Sequence, residues 1–211
     1  MRLGIFGGTF DPIHLGHLVL AEQCLEQCPL DEVWFVPAAQ PPHKLAATIS
    51  PAKARCEMIE FAIAGNSAFR LNTIELNRTG PSFTVTTLEQ LKADDPSREL
   101  FLLIGADSLR DLSHWREPAR ILELATIAAV NRGDRPLPDL SGLRASCGER
   151  VDNRIVTVTM PGIDLSATDI RRRVADGHRI RYLVPRAVEA YIHEQGLYRD
   201  RGNIHGEADN L

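Results

Sequence analysis

Two histidines three positions apart, His14 and His17, end the run Gly7-Gly8-Thr9-Phe10-Asp11-Pro12-Ile13-His14-Leu15-Gly16-His17. An imidazole can donate a hydrogen bond, ligate a metal or move a proton near neutral pH, and its surroundings select among these. The apolar run Leu3-Gly4-Ile5-Phe6 reads as a buried strand, and apolar residues recur at helical spacing from Leu15 to Gln27, so the histidines fall where a strand gives way to a helix. A helix start offers unpaired N–H groups and a positive dipole end, and glycine lets a ligand approach the backbone closely. Helical geometry would set both rings on one face, with Gly16 leaving room for a base or ribose beside them. The pattern fits an anion such as phosphate. A metal pair is the rival, although no third ligand stands at suitable spacing, and a structural role for either ring stays open.

A second cluster lies far along the chain, in Leu165-Ser166-Ala167-Thr168-Asp169-Ile170-Arg171. Ser166 is placed to cap a helix with Asp169 as its acidic partner. Arg171, followed by Arg172 and Arg173, puts positive charge near a helix N-terminus, against the macrodipole unless an anion sits nearby. Solvated surface arginines are the plainer account of Arg172 and Arg173.

The elements that must position these clusters alternate along the chain. Strands are expected at Leu3 to Phe6, Glu32 to Val36, Leu100 to Ile104, Thr126 to Val130 and Arg154 to Thr159, with Phe69 to Leu76 extended. Helices are expected from Leu15, from Pro51 to about Ala64, from Val85 to Lys92, over Ile121 to Leu124, and at the C-terminal end over Ser166 to Val174 and Pro185 to Gln195. Pro41-Pro42-His43-Lys44 reads as loop, since each proline restricts the residue before it. Residues 133 to 152 lack periodicity and read as a surface connection. Strand–helix alternation at this spacing implies an open, mainly parallel α/β sheet with helices on both faces. Residues 1–198 are read as one domain and 199–211 as a polar, flexible tail.

The chain has 211 residues, 44% hydrophobic and 25% charged, with a formal net charge of -4. That balance excludes a basic nucleic-acid coat, so a polyanionic ligand needs a local cluster of donors. The four cysteines, Cys24, Cys28, Cys56 and Cys147, form no C-x-x-C pair and read as reduced thiols. No secretory leader and no apolar stretch of the roughly 18–20 residues that spans a bilayer is visible. The expectation is a cytoplasmic protein with no membrane contact, and a homo-oligomer stays open.

From Gly8 to His17 the sequence resembles, without a break, the G-x-F-D-P-x-H-x-G-H signature of the H-x-G-H nucleotidyltransferases. Leu165 to Arg171 resembles the I-S-[SA]-T-x-I-R motif of the same superfamily, with Leu165 first and Ala167 where serine is common. Further segments are similar to bacterial nicotinate mononucleotide adenylyltransferases: Pro41 to Lys44, Pro81 to Thr84, Leu103 to Ser108, Trp115, Ala190 to Ile192 and Gly196 to Tyr198. Phe83 stands where tyrosine is usual. The resemblance implies a Rossmann-like fold and an ATP site of Gly7, Gly8, Thr9, Phe10, His14, Gly16, His17, Gly105, Asp107, Ser166, Thr168 and Arg171. It implies an acceptor site of Lys44, Ser82, Phe83, Thr84 and Trp115, with amides near Thr84 on the pyridine carboxylate and Trp115 stacked on the ring. Asp107 would accept from a ribose hydroxyl, with an N-cap as its alternative.

The implied reaction is attack by the 5′-phosphate of nicotinate mononucleotide on the α-phosphorus of ATP, with His14, His17, Lys44 and Arg171 as the catalytic contacts. The nucleophile is already anionic, so no general base is required, and alignment and aimed donors do the work. Mg²⁺ would travel with the triphosphate, with no metal site of protein ligands. Phosphopantetheine adenylyltransferase, a cytidylyltransferase and a catalytically silent nucleotide-binding module are the competing readings.

Overall fold

A computed structural model of the chain describes residues 1–39, 49–133 and 137–199. Six strands form one sheet: β1 (Arg2–Gly8), β2 (Glu32–Pro37), β3 (Phe69–Leu71), β4 (Glu99–Gly105), β5 (Ala125–Arg132) and β6 (Ile155–Met160). Their spatial order is β3-β2-β1-β4-β5-β6, and every neighbouring pair is parallel. The chain builds outward from β1 in one direction and then returns to build from β4 in the other. The order therefore reverses between β1 and β4, and the crevice at their carboxyl ends is where such sheets bind ligands.

Side chains alternate across this sheet with the two-residue period of a strand. Phe6, Phe101 and Leu103 enter one hydrophobic cluster, and Leu3, Ile5, Leu100, Leu102 and Ile104 enter the other. The first cluster is covered by α1 (Leu15–Gln27), α2 (Ala52–Ile63), α8 (Ala167–Ala175) and α9 (Arg186–Glu194). The second lies under α3 (Thr84–Asp94), α4 (Ala106–Asp111), α5 (Pro118–Leu124), α6 (Ser141–Cys147) and α7 (Arg150–Arg154). Both faces carry helices, as the alternation of elements implies.

Two stretches differ from expectation. The extended segment from Phe69 keeps strand geometry only to Leu71. Asn72 Oδ1 then accepts from the Ile74 N–H at 2.9 Å and the chain turns, a local bond that competes with a ladder. Residues 133 to 152 are not a bare connection, because α6 and α7 bury Leu143, Cys147 and Val151. Their four-residue spacing is helical, but two helices of 7 and 5 residues are too short for that period to stand out among charges. Pro51 and Pro185 sit one position before their helices, as N-caps.

Candidate active site

Gly7 and Gly8 end β1 beside Gly105, the last residue of β4. A Cβ at Gly7 or at Gly105 would meet nothing within 4 Å, whereas one at Gly8 would meet the Phe10 ring at 2.9 Å. Gly8 is thus needed by a neighbouring side chain, and Gly7 and Gly105 leave the crevice open. Phe10 takes a left-handed φ of 51° and sinks its ring into the core against Phe6, Phe35 and His17. Phe10 is only 2% exposed, so its ring is packed away from any ligand in the crevice.

His14 is the N-cap of α1, with extended backbone, and only 4% of it is exposed. Its ring stacks on that of His17 with centroids 3.6 Å apart. The His14 N–H donates to His17 Nδ1 at 3.2 Å. Since an amide can only donate, Nδ1 is an acceptor, and the proton of neutral His17 lies on Nε2. His17 is thereby set up as a donor on the side away from the helix start. A Cβ at Gly16 would stand 3.1 Å from His14 Nδ1, so the missing side chain also makes room for the His14 ring.

Helix α8 starts beside this loop. A Cβ on Gly16 would lie 3.7 Å from Leu165 Cβ. The Arg171 guanidinium donates from Nη1 to the Asp11 carbonyl at 2.7 Å and from Nη2 to Thr168 Oγ1 at 3.3 Å. Ser166 caps α8, its Oγ accepting from the Asp169 N–H at 3.0 Å and donating to the Asp169 carboxylate at 2.8 Å. Arg172 pairs with Asp169, and Arg173 donates to the Arg179 carbonyl, so these two have local partners while Arg171 reaches across to the first motif.

The acceptor-side residues meet in a cavity of about 350 Å³ whose wall includes Gly7, Gly8, Thr9, Ser82, Thr84 and Trp115. Phe83 and Arg116 line it too, with the Arg116 guanidinium 4.7 Å from the Phe83 ring centre. Thr84 is the first residue of α3, which has no side-chain cap at Phe83, so backbone N–H groups point off the helix start. Ser82 Oγ accepts from the Ala39 N–H at 3.0 Å and ties the chain after β2 to this wall. The histidines and Arg171 lie outside the cavity, one loop further along. Asp107 is exposed in the first turn of α4 and pairs with Arg110 at 3.4 Å; the N-cap there is Gly105, which removes the capping account of Asp107. Lys44, with Pro41, Pro42 and His43, lies outside the described residues.

Several polar groups at the site were not singled out by motif. Glu75 lines the cavity, is 7% exposed, and accepts from Thr87 Oγ1 at 2.7 Å. Asp11 and Arg55 are 3% and 2% exposed and lie behind the loop with Tyr198. Burial pushes the Arg55 guanidinium below its usual range, opposed by nearby Asp11. Burial first, and Asp11 second, push the Tyr198 hydroxyl well up. Asp11 sits inside the first signature and Tyr198 ends the last matching segment, so position alone could have drawn attention to both. Arg55, among Ala54, Met58 and Ile59 in the buried face of α2, is marked by a charge where apolar residues belong.

Residues 5–173 match the model of the cytidylyltransferase-like family. A probable nicotinate-nucleotide adenylyltransferase of Thermus thermophilus is 46% identical over 199 residues, which cover 94% of this chain and 100% of that one. Another, from Rubrobacter xylanophilus, is 44% identical over 98% of this chain and 97% of its own. This chain belongs to the nicotinate-nucleotide adenylyltransferase family. As a family member it also shares the fold of the Plasmodium falciparum nicotinic acid mononucleotide adenylyltransferase solved with NaAD, at a TM-score of 0.77, 19% identity and 93% and 97% coverage of the two chains. Nucleotidyltransferases that use ATP generally need a divalent metal. Among the described residues no three His, Cys, Asp or Glu side chains converge to cage one, and no helix is long and apolar enough to cross a membrane.

Proposed function

We propose that this family member transfers the adenylyl group of ATP to nicotinate mononucleotide, giving nicotinate adenine dinucleotide and pyrophosphate in NAD biosynthesis. The observation that carries this is the continuity of the two half-sites. The Gly7 to Thr9 backbone that walls the acceptor cavity runs directly into the His14–His17 pair, and Arg171 is bonded to that same loop. An acceptor phosphate and a nucleotide triphosphate bound at these two places would meet over Gly8 and Thr9.

A phosphate oxygen of the acceptor attacks the α-phosphorus in line, and the bond to the departing pyrophosphate breaks. His17 donates from Nε2 to phosphate oxygens, and Arg171 and the hydroxyls of Ser166 and Thr168 border the same charge, while the resemblance makes Lys44 a further cationic contact. Held donors of this kind stabilise charge that grows in the transition state without having to reorganise. On the acceptor side Trp115 offers an aromatic face to the pyridine, and the free amides at the start of α3 suit its carboxylate. The metal would be Mg²⁺, travelling with the triphosphate and neutralising part of its charge; the histidines, hydroxyls and guanidinium at the site would act on phosphate oxygens and not as its ligands. Residues 1–198 carry the activity, in the cytoplasm.

Pyrophosphate release from ATP and Mg²⁺ tests this with nicotinate mononucleotide, nicotinamide mononucleotide and phosphopantetheine offered separately. Release with the nicotinate compound is expected. Release with phosphopantetheine alone, or with none of the three, would overturn the assignment.

A further inference from the structure

We propose that Asp11, clamped by Tyr198 and backed by Arg55, is a positioning residue that holds the Thr9 to His14 loop and Arg171 in register for phosphate binding. This rests on the assignment of the ATP phosphates to that loop and deepens it. The Asp11 carboxylate is buried and both of its oxygens are engaged. Oδ1 accepts from the Tyr198 hydroxyl at 2.6 Å and Oδ2 from the Ser50 N–H at 3.1 Å. The carbonyl of the same residue accepts from Arg171 at 2.7 Å. Behind it, Arg55 donates to the Thr9 carbonyl at 2.9 Å and to the Ser50 carbonyl at 3.2 Å. Two guanidiniums, from α2 and α8, therefore grip the loop two peptides apart, and a phenol from the C-terminal turn after α9 locks the carboxylate between them.

Fold stability alone is a poor reason for this cluster. Phe10, Met58 and Ile59 around it are fully apolar and almost wholly buried, and burying ions costs several kcal/mol each, so a packed hydrophobic replacement is often as stable. A phosphate site has a different demand. Its donors must sit within a fraction of an ångström of their working positions, and a misplacement of about 1 Å can cost 10²-fold in rate. Arg55 also lies near enough to Asp11 for the two charges to offset one another in part, which lessens the negative field that the loop offers a triphosphate. Tyr198 closes the arrangement from 187 positions away, in a left-handed turn with φ 65°.

Tyr198→Phe removes one hydroxyl and keeps the ring. Steady-state kinetics with ATP, Mg²⁺ and nicotinate mononucleotide, alongside a thermal melt, read the effect. The expected result is kcat/KM for ATP lowered about 10-fold, the size of one lost hydrogen bond to a charged group, with KM for the mononucleotide within about twofold of normal. A double-mutant cycle with Arg171→Lys tests the route: because the hydroxyl acts through Asp11 and Arg171, the two losses are expected not to multiply. A folded Tyr198→Phe with a lower melting temperature and unchanged kinetics would overturn the proposal, as would fully multiplicative losses. If Tyr198→Phe does not fold, Asp11→Asn, which keeps the shape and one acceptor oxygen, gives the same two readouts. A wild-type chain that releases no pyrophosphate from ATP and nicotinate mononucleotide would overturn the underlying assignment instead, and this proposal with it.

Discussion

At His17 one hydrogen bond decides the chemistry. With Nδ1 accepting from the His14 amide, the neutral ring carries its proton on Nε2 and has no free lone pair to act as a base, which suits a reaction whose nucleophile is already an anion. His17→Ala is expected to lower kcat by about 10²–10³, the range for removing one transition-state donor, measured by pyrophosphate release at saturating substrates; turnover near wild type would remove His17 from the site. His17→Asn, which can still donate, should recover part of the loss. Trp115 belongs to the other half-site, so Trp115→Ala is expected mainly to raise KM for the mononucleotide, with KM for ATP little changed. The residues proposed to face ligand could be named from the sequence because signatures fix them at short spacings. The ones behind them could not. Arg55 touches Thr9 across 46 positions and Tyr198 touches Asp11 across 187; a charge among apolar neighbours marks Arg55 as unusual, but no local pattern says which distant group it serves. Gly16 shows the same limit from the other side: its lack of a side chain was visible, but not that a Cβ there would also crowd His14 Nδ1.

Among the elements, α8 carries two duties at a single residue. The Ser166 hydroxyl is used within the helix, accepting from the Asp169 amide and donating to its carboxylate, while the proposed function gives it a phosphate contact as well. Two substitutions separate the duties. Ser166→Ala loses the cap and should cost about 1 kcal/mol of stability, whereas glycine at an N-cap costs only a few tenths. Ser166→Gly is therefore expected to keep the melting temperature nearly unchanged and to raise KM for ATP. An unchanged KM in both variants would leave Ser166 as a cap alone. This helix was readable because its start has its own chemistry, as did β4, a five-residue apolar run closed by glycine. Helices α6 and α7 were hidden for the opposite reason. Leu143, Cys147 and Val151 are their buried anchors, spread over two turns of chain among arginines and glutamates, so burial there became visible only once α5 stood next to them.

For the molecule as a whole, two phenols fasten the C-terminal helix and turn onto α2 and the phosphate loop. Tyr191 donates to Glu57 and Tyr198 to Asp11. Burial, followed by the carboxylate partner, pushes the Tyr191 hydroxyl up to about 12, and the Tyr198 hydroxyl is raised further by burial and Asp11. The protonated form is the one the fold favours at both positions. Below the unfolded value of about 10 both states keep the proton and the contribution to stability is fully present. As pH rises past it the unfolded chain loses protons that the folded chain retains, so stability falls with pH until the folded hydroxyls ionise too. The midpoint of urea unfolding is therefore expected to decline from about pH 10 upward, with the Tyr191 share lost by about pH 12 and the Tyr198 share still falling beyond it. Tyr182 is 82% exposed and makes a suitable control: Tyr182→Phe should leave the decline as it is, while Tyr191→Phe combined with Tyr198→Phe should flatten it. A decline equally steep in that double variant would mean that other groups govern alkaline unfolding and that the tyrosine anchors are not what ties the C-terminal turn to the loop.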